Sequence, residues 1–296
     1  MDKKSIIGLI VMAVISVVLV LGINCYVVSQ PIISSLEFET PKSEYDGDDY
    51  NFEGELLEPN DGKDVHPVVV IAHGYNSTMD NCEDAANAYV EAGYAAILFD
   101  FVGGSRNSST KVHSSEMTTF TEIMDYEIVL DYVLNSDKFD HDNIFLSGQS
   151  FGGLIATVVA ESNQDKINAV VLFYPAYNMV ENSGKVLAAG PTEDYSNSDE
   201  VTEDLYSWDG LLVSERYLFE LNSLDIKGII GNLNKDVIIM QGDLDTDVPL
   251  ESTQEFVQYF PSAQLVVITG GSHGFWGEQL ERATNETIEF MNTHLK

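Results

Sequence analysis

From Val68 to the C-terminus, short runs rich in β-branched residues alternate with helix-like stretches, and this alternation constrains the fold more than any other feature of the chain. The runs are Val68 to Ala72, Ala95 to Phe99, Ile144 to Ser147, Ala169 to Tyr174, Val237 to Gln241 and Leu265 to Thr269. Each is bounded by turn residues and apolar at successive positions, the pattern of strands buried on both faces. Between them lie Cys82 to Ala92, Phe120 to Leu134, Gly152 to Glu161, Leu250 to Tyr259 and Glu278 to Leu295. Strand and helix in turn predict an α/β domain: a mostly parallel central sheet covered on both faces, with ligand chemistry at the carboxyl ends of its strands. Upstream, Leu36 to Phe38 and Tyr50 to Leu57 read as an antiparallel pair at one sheet edge.

One interval breaks the alternation. From Ala176 to Gly231 the chain is rich in Gly, Asn, Ser and acidic residues, interleaved with Tyr195, Tyr206, Trp208, Tyr217 and Phe219. Its aromatic content favours a small helical cap over a disordered acidic loop. Residues 31–296 then make one domain carrying a cap at about 176–231, and 296 residues suffice for its core.

The first 30 residues are of another kind. After Lys3 and Lys4, Ile6 to Val28 is apolar apart from Ser16 and Asn24, and as a helix it would span roughly 35 Å, enough to cross a bilayer. Lysines before it and Glu37, Glu39, Glu44 and Asp46 after it place the N-terminus in the cytoplasm and the domain outside, anchored to the membrane. Cleavage as a signal peptide before Gln30 is the alternative, with secretion as its outcome. Asn24 before Cys25 makes a poor lipidation site, and Asn76, Asn107 and Asn285 begin triplets that could accept glycans.

A formal charge of −34, with no Lys/Arg cluster, would repel phosphate backbones and excludes nucleic acid as a partner. The same acidity suits a well-solvated surface. Cys25 and Cys82 are the only cysteines, so the domain has one thiol, no internal disulfide and no zinc cluster, and Cys82 reads as a small buried residue.

The chemistry is carried by Gly148-Gln149-Ser150-Phe151-Gly152, a G-x-S-x-G pentapeptide lying where a predicted strand gives way to a predicted helix. Its placement matters more than the pattern, which also arises by chance. A sharp turn exposes the serine hydroxyl, and glycines on either side remove Cβ clashes. A serine hydroxyl needs a base within hydrogen-bond reach and an acid to orient that base. Downstream stand two histidines: His273, in a Gly-rich loop directly after a strand, and His294, in the final helix. His273 is the candidate base. The acid should follow the preceding strand, where Asp243, Asp245 and Asp247 compete.

At this point the chain resembles the α/β-hydrolase superfamily. In that family the loop Gly242-Asp243-Leu244-Asp245-Thr246-Asp247-Val248-Pro249 corresponds to Gly-x-x-Asp-x-x-Val-Pro, and the resemblance implies Asp245 as the triad acid, with Asp243 and Asp247 as loop-capping carboxylates. His73-Gly74-Tyr75 resembles the family's oxyanion turn and implies the amide of Tyr75 as one donor, the other being that of Phe151, just after the nucleophile. His73 then shapes its loop. Phe99-Asp100-Phe101-Val102-Gly103-Gly104-Ser105 resembles the Asp-x-x-Gly-x-Gly-x-Ser turn with one glycine displaced. The resemblance runs from about Val68 to the C-terminus apart from the cap, and is greatest to cinnamoyl and feruloyl esterases and related small carboxylesterases.

The expected activity is therefore hydrolysis of a small-molecule carboxylic ester through an acyl-enzyme on Ser150, needing no metal or organic cofactor. A serine peptidase of the same fold is the nearest alternative, and a membrane-tethered binding protein that kept the fold without catalysis is a more distant one.

Overall fold

The computed structural model describes residues 30–40, 50–108, 110, 112–192 and 204–296. The apolar N-terminal segment lies outside them, and no helix among the described residues is long and apolar enough to cross a membrane.

Among the described residues eight strands form the central sheet. In chain order they are β1 (Ile32–Glu39), β2 (Asn51–Glu58), β3 (His66–Ala72), β4 (Ala95–Phe99), β5 (Phe139–Gln149), β6 (Ala169–Phe173), β9 (Asp236–Gly242) and β10 (Ala263–Ile268). Their spatial order is β1-β2-β4-β3-β5-β6-β9-β10, with β1–β2 and β2–β4 antiparallel and the remainder parallel. The antiparallel edge pair and the six parallel strands lie where the sequence places them. β5 begins earlier than its apolar run, since Phe139 pairs with His66 before a register shift.

The helices are α1 (Glu83–Glu91), α2 (Thr119–Asn135), α3 (Phe151–Ser162), α4 (Asn178–Ala189), α5 (Glu215–Asn222), α6 (Ile226–Asn232), α7 (Leu250–Val257) and α8 (Glu278–Thr293). Two buried apolar clusters occupy the two faces of the sheet. Val68, Val70, Ile97, Leu146 and Val170 point to the face covered by α2 and α3; Val69, Ile71, Leu98, Phe145 and Val171 point to the face covered by α1 and α8. Odd and even positions of each strand thus feed different cores, which is why the runs are apolar without a polar alternate. Cys82 is fully buried in the second cluster.

The segment between β6 and β9 carries α4, α5 and α6, as a helical cap should, but also a two-stranded antiparallel hairpin, β7 (Leu205–Trp208) and β8 (Leu211–Ser214). Asp209 and Gly210 make its turn at positive φ, 40° and 86°. Helical periodicity says nothing about such a short hairpin, whose turn chemistry is its main signal.

Candidate active site

Four strand ends converge. Ser150 sits between β5 and α3 with φ 53° and ψ −119°, a region that L-residues populate sparsely and that costs about 1–3 kcal/mol. Its amide donates to the Phe173 carbonyl at 2.9 Å, and its own carbonyl accepts from Gly153 at 3.0 Å and Ala176 at 2.9 Å. These bonds hold the turn and push the side chain up at the edge of the sheet. Gly152 shows why the pentapeptide needs its second glycine: a Cβ there would lie 2.3 Å from the His73 carbonyl oxygen and 2.6 Å from that of Ala72. The helix packs against the oxyanion turn more closely than any side chain permits.

His273 follows β10 in a loop and places Nε2 3.0 Å from Ser150 Oγ. Its Nδ1 lies 2.9 Å from Asp245 Oδ2. With Asp245 ionised, Nδ1 carries the proton and donates it to the carboxylate, leaving Nε2 as acceptor for the serine hydroxyl. Asp245 is buried, yet its other oxygen accepts from the amides of Asp247 at 3.0 Å and Val248 at 2.9 Å. Burial works against its charge, but the hydrogen bonds from His273, Val248 and Asp247 outweigh that and hold its pKa below the ordinary carboxylate value. Asp243 instead caps the neighbouring loop, accepting from the Gly270 amide at 2.6 Å. The Asp247 carboxylate accepts from the Thr246 hydroxyl at 3.4 Å, and its carbonyl from Asn178 at 2.9 Å. His294 lies at the end of α8, half-buried, with Nε2 2.9 Å from Asp236. Neither of those aspartates contacts His273, and His294 lies at the far end of the sheet from Ser150.

Two residues of the site carry no motif. Gln241, fully buried at the end of β9, donates from Nε2 to Asp245 Oδ2 at 3.2 Å and to the Val248 carbonyl at 3.0 Å, and accepts from Thr253 at 2.7 Å. A buried glutamine one residue before the Gly242 turn is its only trace in the sequence. Tyr174, at φ 38°, packs its ring 4.7 Å from that of His273 and donates its hydroxyl to Gln149 at 3.2 Å. It closes one face of the imidazole.

The candidate oxyanion turn, His73-Gly74-Tyr75, passes directly beside Ser150, because a Cβ on Gly74 would stand 3.1 Å from Ser150 Cβ. Phe151 opens α3, where the first amides have no intrahelical acceptor and point at developing negative charge. His73 is fully buried away from the serine. Its Nε2 accepts from the Phe101 amide at 3.1 Å, so Nδ1 bears the proton and donates to the Gly74 carbonyl at 2.8 Å. Burial lowers its pKa and keeps it neutral. Asp100 accepts from the Met79 amide at 2.8 Å and ties the next turn to the same loop.

A cleft of about 280 Å³ opens on Ser150 and His273. None of the described cap residues lines it. Its walls come from Tyr75 to Ala85 on one side and Tyr174 and His273 to Leu280 on the other. The cap aromatics Trp208 and Tyr217 pack on Tyr75, at 5.5 and 6.2 Å between ring centres, while Tyr195 lies outside the described residues. Aromatic content marks a packed segment but not which side of the serine it closes. Among the described residues no group of acidic, His and Cys side chains is arranged to hold a metal ion.

The family described as serine aminopeptidase, S33, matches residues 63–196, a stretch that includes Ser150 and ends before Asp245 and His273. The acylamino-acid-releasing enzyme of Mus musculus is 22% identical over 268 residues, covering 83% of this chain and 34% of its own. A monoacylglycerol lipase of Mycolicibacterium smegmatis is 28% identical over 128 residues, 43% of this chain and 44% of its own. The matches thus span less than half the length of these relatives. Among solved structures, Est1E from Butyrivibrio proteoclasticus with ferulic acid bound superposes with a TM-score of 0.71 at 23% identity, over 83% of this chain and 96% of that one. An esterase from Pyrococcus furiosus gives 0.61 at 19% identity, over 90% and 92%.

Proposed function

We propose that this chain, which has the α/β-hydrolase fold and belongs to that superfamily, is a serine hydrolase that cleaves carboxylic esters. The observation that carries the reading is the bridge made by His273, 3.0 Å from Ser150 Oγ on one side and 2.9 Å from Asp245 on the other. Ser150 Oγ attacks the ester carbonyl while His273 Nε2 takes its proton, and Asp245 stabilises the imidazolium. The tetrahedral oxyanion lies against the amides of Tyr75 and Phe151, each such donor contributing roughly 3 kcal/mol. The C–O bond then breaks, the alcohol leaves with the proton from His273, and water repeats the sequence to release the acid and restore Ser150.

A fluorophosphonate probe tests the nucleophile: it should label the wild-type protein and not Ser150→Ala, and equal labelling of both would refute the assignment. The same triad can cleave amides, and the serine aminopeptidase description of the matching family favours that as a second reading. Esters cleaved in preference to aminoacyl anilides support the first reading, and the reverse order supports the second.

The apolar run from Ile6 to Val28 after Lys3 and Lys4 supports a membrane anchor with the catalytic domain on the extracytoplasmic side. Retention in the membrane pellet after alkaline carbonate washing, with the domain digested by protease added to intact cells, is the expected result. Release of a shortened protein into the medium would point to signal cleavage instead.

A further inference from the structure

The two sides of Ser150 differ in what they can admit. On the cap side, Tyr75 stands 6.0 Å from Phe151, 5.5 Å from Trp208 and 6.2 Å from Tyr217, and Tyr217 stands 6.3 Å from Phe151, all between ring centres. Phe151 and Tyr217 are fully buried. The Tyr75 hydroxyl donates to the Trp208 carbonyl at 3.2 Å, so this cluster is fastened as well as packed. Its four rings fill the angle between the oxyanion turn, the start of α3 and the cap. On the other side lies the cleft of about 280 Å³, walled by the His273 to Leu280 segment and by the start of α1.

The chemistry assigns these sides to the two halves of an ester. His273 must reach the departing oxygen, so the leaving alcohol lies on the His273 side, in the cleft. The acyl chain, on the opposite bond of the same carbonyl, is aimed at the packed rings.

The cleft has a distinct lining. Trp276 stands at its mouth with 71% of its surface exposed, although indoles are among the side chains that gain most from burial. Ser77, Asn81 and Asp84 line the α1 side. A flat apolar face on one side and hydroxyl, amide and carboxylate groups on the other match a ring that is apolar on its faces and hydroxylated at its edge. Among the described residues no Lys or Arg lines the cleft, and the chain carries a charge of −34, which disfavours an anionic alcohol.

Building on the serine-esterase reading, we propose that the substrate is a short acyl ester, of acetyl size, carried by a neutral polyhydroxylated alcohol such as a sugar unit of a glycan. Water and the ester yield a free carboxylic acid and the deacylated alcohol, with the acyl C–O bond broken and no other reactant consumed.

The test compares kcat/KM for p-nitrophenyl acetate, butyrate and octanoate, for methyl ferulate, and for an acetylated oligosaccharide against vinyl acetate and acetylcholine. The acetate should exceed the octanoate by about tenfold or more, and acetate should be released from the oligosaccharide in preference to acetylcholine hydrolysis. Trp276→Ala should lower the ratio of oligosaccharide to vinyl acetate kcat/KM by about tenfold. Trp208→Ala, at a half-buried position, should raise octanoate hydrolysis relative to acetate, and a second variant, Trp208→Leu, serves where the first does not fold. Octanoate or ferulate esters cleaved as fast as acetate, acetylcholine preferred to the acetylated sugar, or an unchanged ratio in Trp276→Ala would each overturn the proposal. Fluorophosphonate labelling of Ser150 with no acetyl-ester hydrolysis sinks this inference and leaves the serine-hydrolase reading intact; absence of labelling sinks both.

Discussion

The side-chain amide of Asn76 donates to the carbonyl of Asp209 at 3.3 Å, and so joins the oxyanion turn to the hairpin of the cap. The same side chain accepts from the Arg106 amide at 3.3 Å. With the Tyr75 hydroxyl on the Trp208 carbonyl, two successive residues of the turn are tied to two successive residues of the cap. Asn76 also sits at φ 52°, which asparagine tolerates better than most residues. The hairpin of the cap thus meets the loop after β3 on the side of Tyr75 and Asn76.

Asn76→Ala removes the side chain's bonds to the Asp209 carbonyl and the Arg106 amide and leaves an alanine in a left-handed conformation. We expect kcat to fall about tenfold with KM for p-nitrophenyl acetate nearly unchanged, because an amide that stabilises only the transition state is displaced. Asn76→Gly relieves the backbone but not the tethers. Recovery of stability without recovery of kcat in that variant separates positioning from folding, and full recovery of kcat would refute the role of the tethers. Asn76 also begins one of the glycosylation triplets, and its side chain is committed to this contact.

Gln241→Leu should weaken the site through Asp245. The substitution strips one donor from the carboxylate and leaves the Val248 carbonyl and the Thr253 hydroxyl without their partner, each buried unsatisfied group costing about 1–3 kcal/mol. A lower urea midpoint together with a reduced kcat is the expected outcome. Gln241→Glu keeps the acceptor for Thr253 but sets a carboxylate against Asp245, and it should be the more damaging of the two to kcat.

Gly152→Ala should abolish the ordered nucleophile turn. The new Cβ would lie 2.3 Å from the His73 carbonyl oxygen, a backbone atom that cannot swing aside. Loss of fluorophosphonate labelling at Ser150, with the protein either unfolded or markedly less stable by thermal melting, is expected. Wild-type labelling and stability would show that the packing is looser than the geometry describes.

Stability should fall as pH rises through the acidic and neutral range because of two buried carboxyls on α2. Burial pushes Asp125 from 3.8 up to about 7, even though Val102 donates to it at 2.9 Å, and burial with the neighbouring Asp125 raises Glu122 well above the usual range. In each case the folded state holds its proton longer than the unfolded chain does. Their contribution is fully present below about pH 4 and is lost as pH climbs through the folded value, by up to about 1.4 kcal/mol per pH unit for each group. Asp245 has the opposite sign, so the informative quantity is the difference between wild type and variant. Asp125→Asn should flatten the urea midpoint between pH 4 and pH 7, and parallel curves for the two proteins would refute the assignment.

Much of this molecule was legible before its structure. The alternation of apolar runs is a direct record of strands covered on both faces, and five of the six parallel strands lie within two residues of those runs, β5 alone starting earlier. Ser150 and His273 were each identifiable because a glycine-rich turn directly after a strand is a local signal. Asp245 was not separable from Asp243 and Asp247 by any local rule, since all three stand in one loop within five residues. Resemblance to a family pattern, not spacing alone, selected it.

What the sequence determined by itself was the order of elements and the residues able to do the chemistry, because strand periodicity, turn residues and motif spacing are properties of neighbours along the chain. Tertiary structure alone decided which aspartate meets His273, that Gln241 and Tyr174 brace the pair, and that Trp208 and Tyr217 close the side of Ser150 away from the cleft. Apart from Gln241 and Asp245, four positions apart, those relations join residues tens of positions apart, and the distance between Asn76 and Asp209 is set only when β3 and the cap pack against the same end of the sheet.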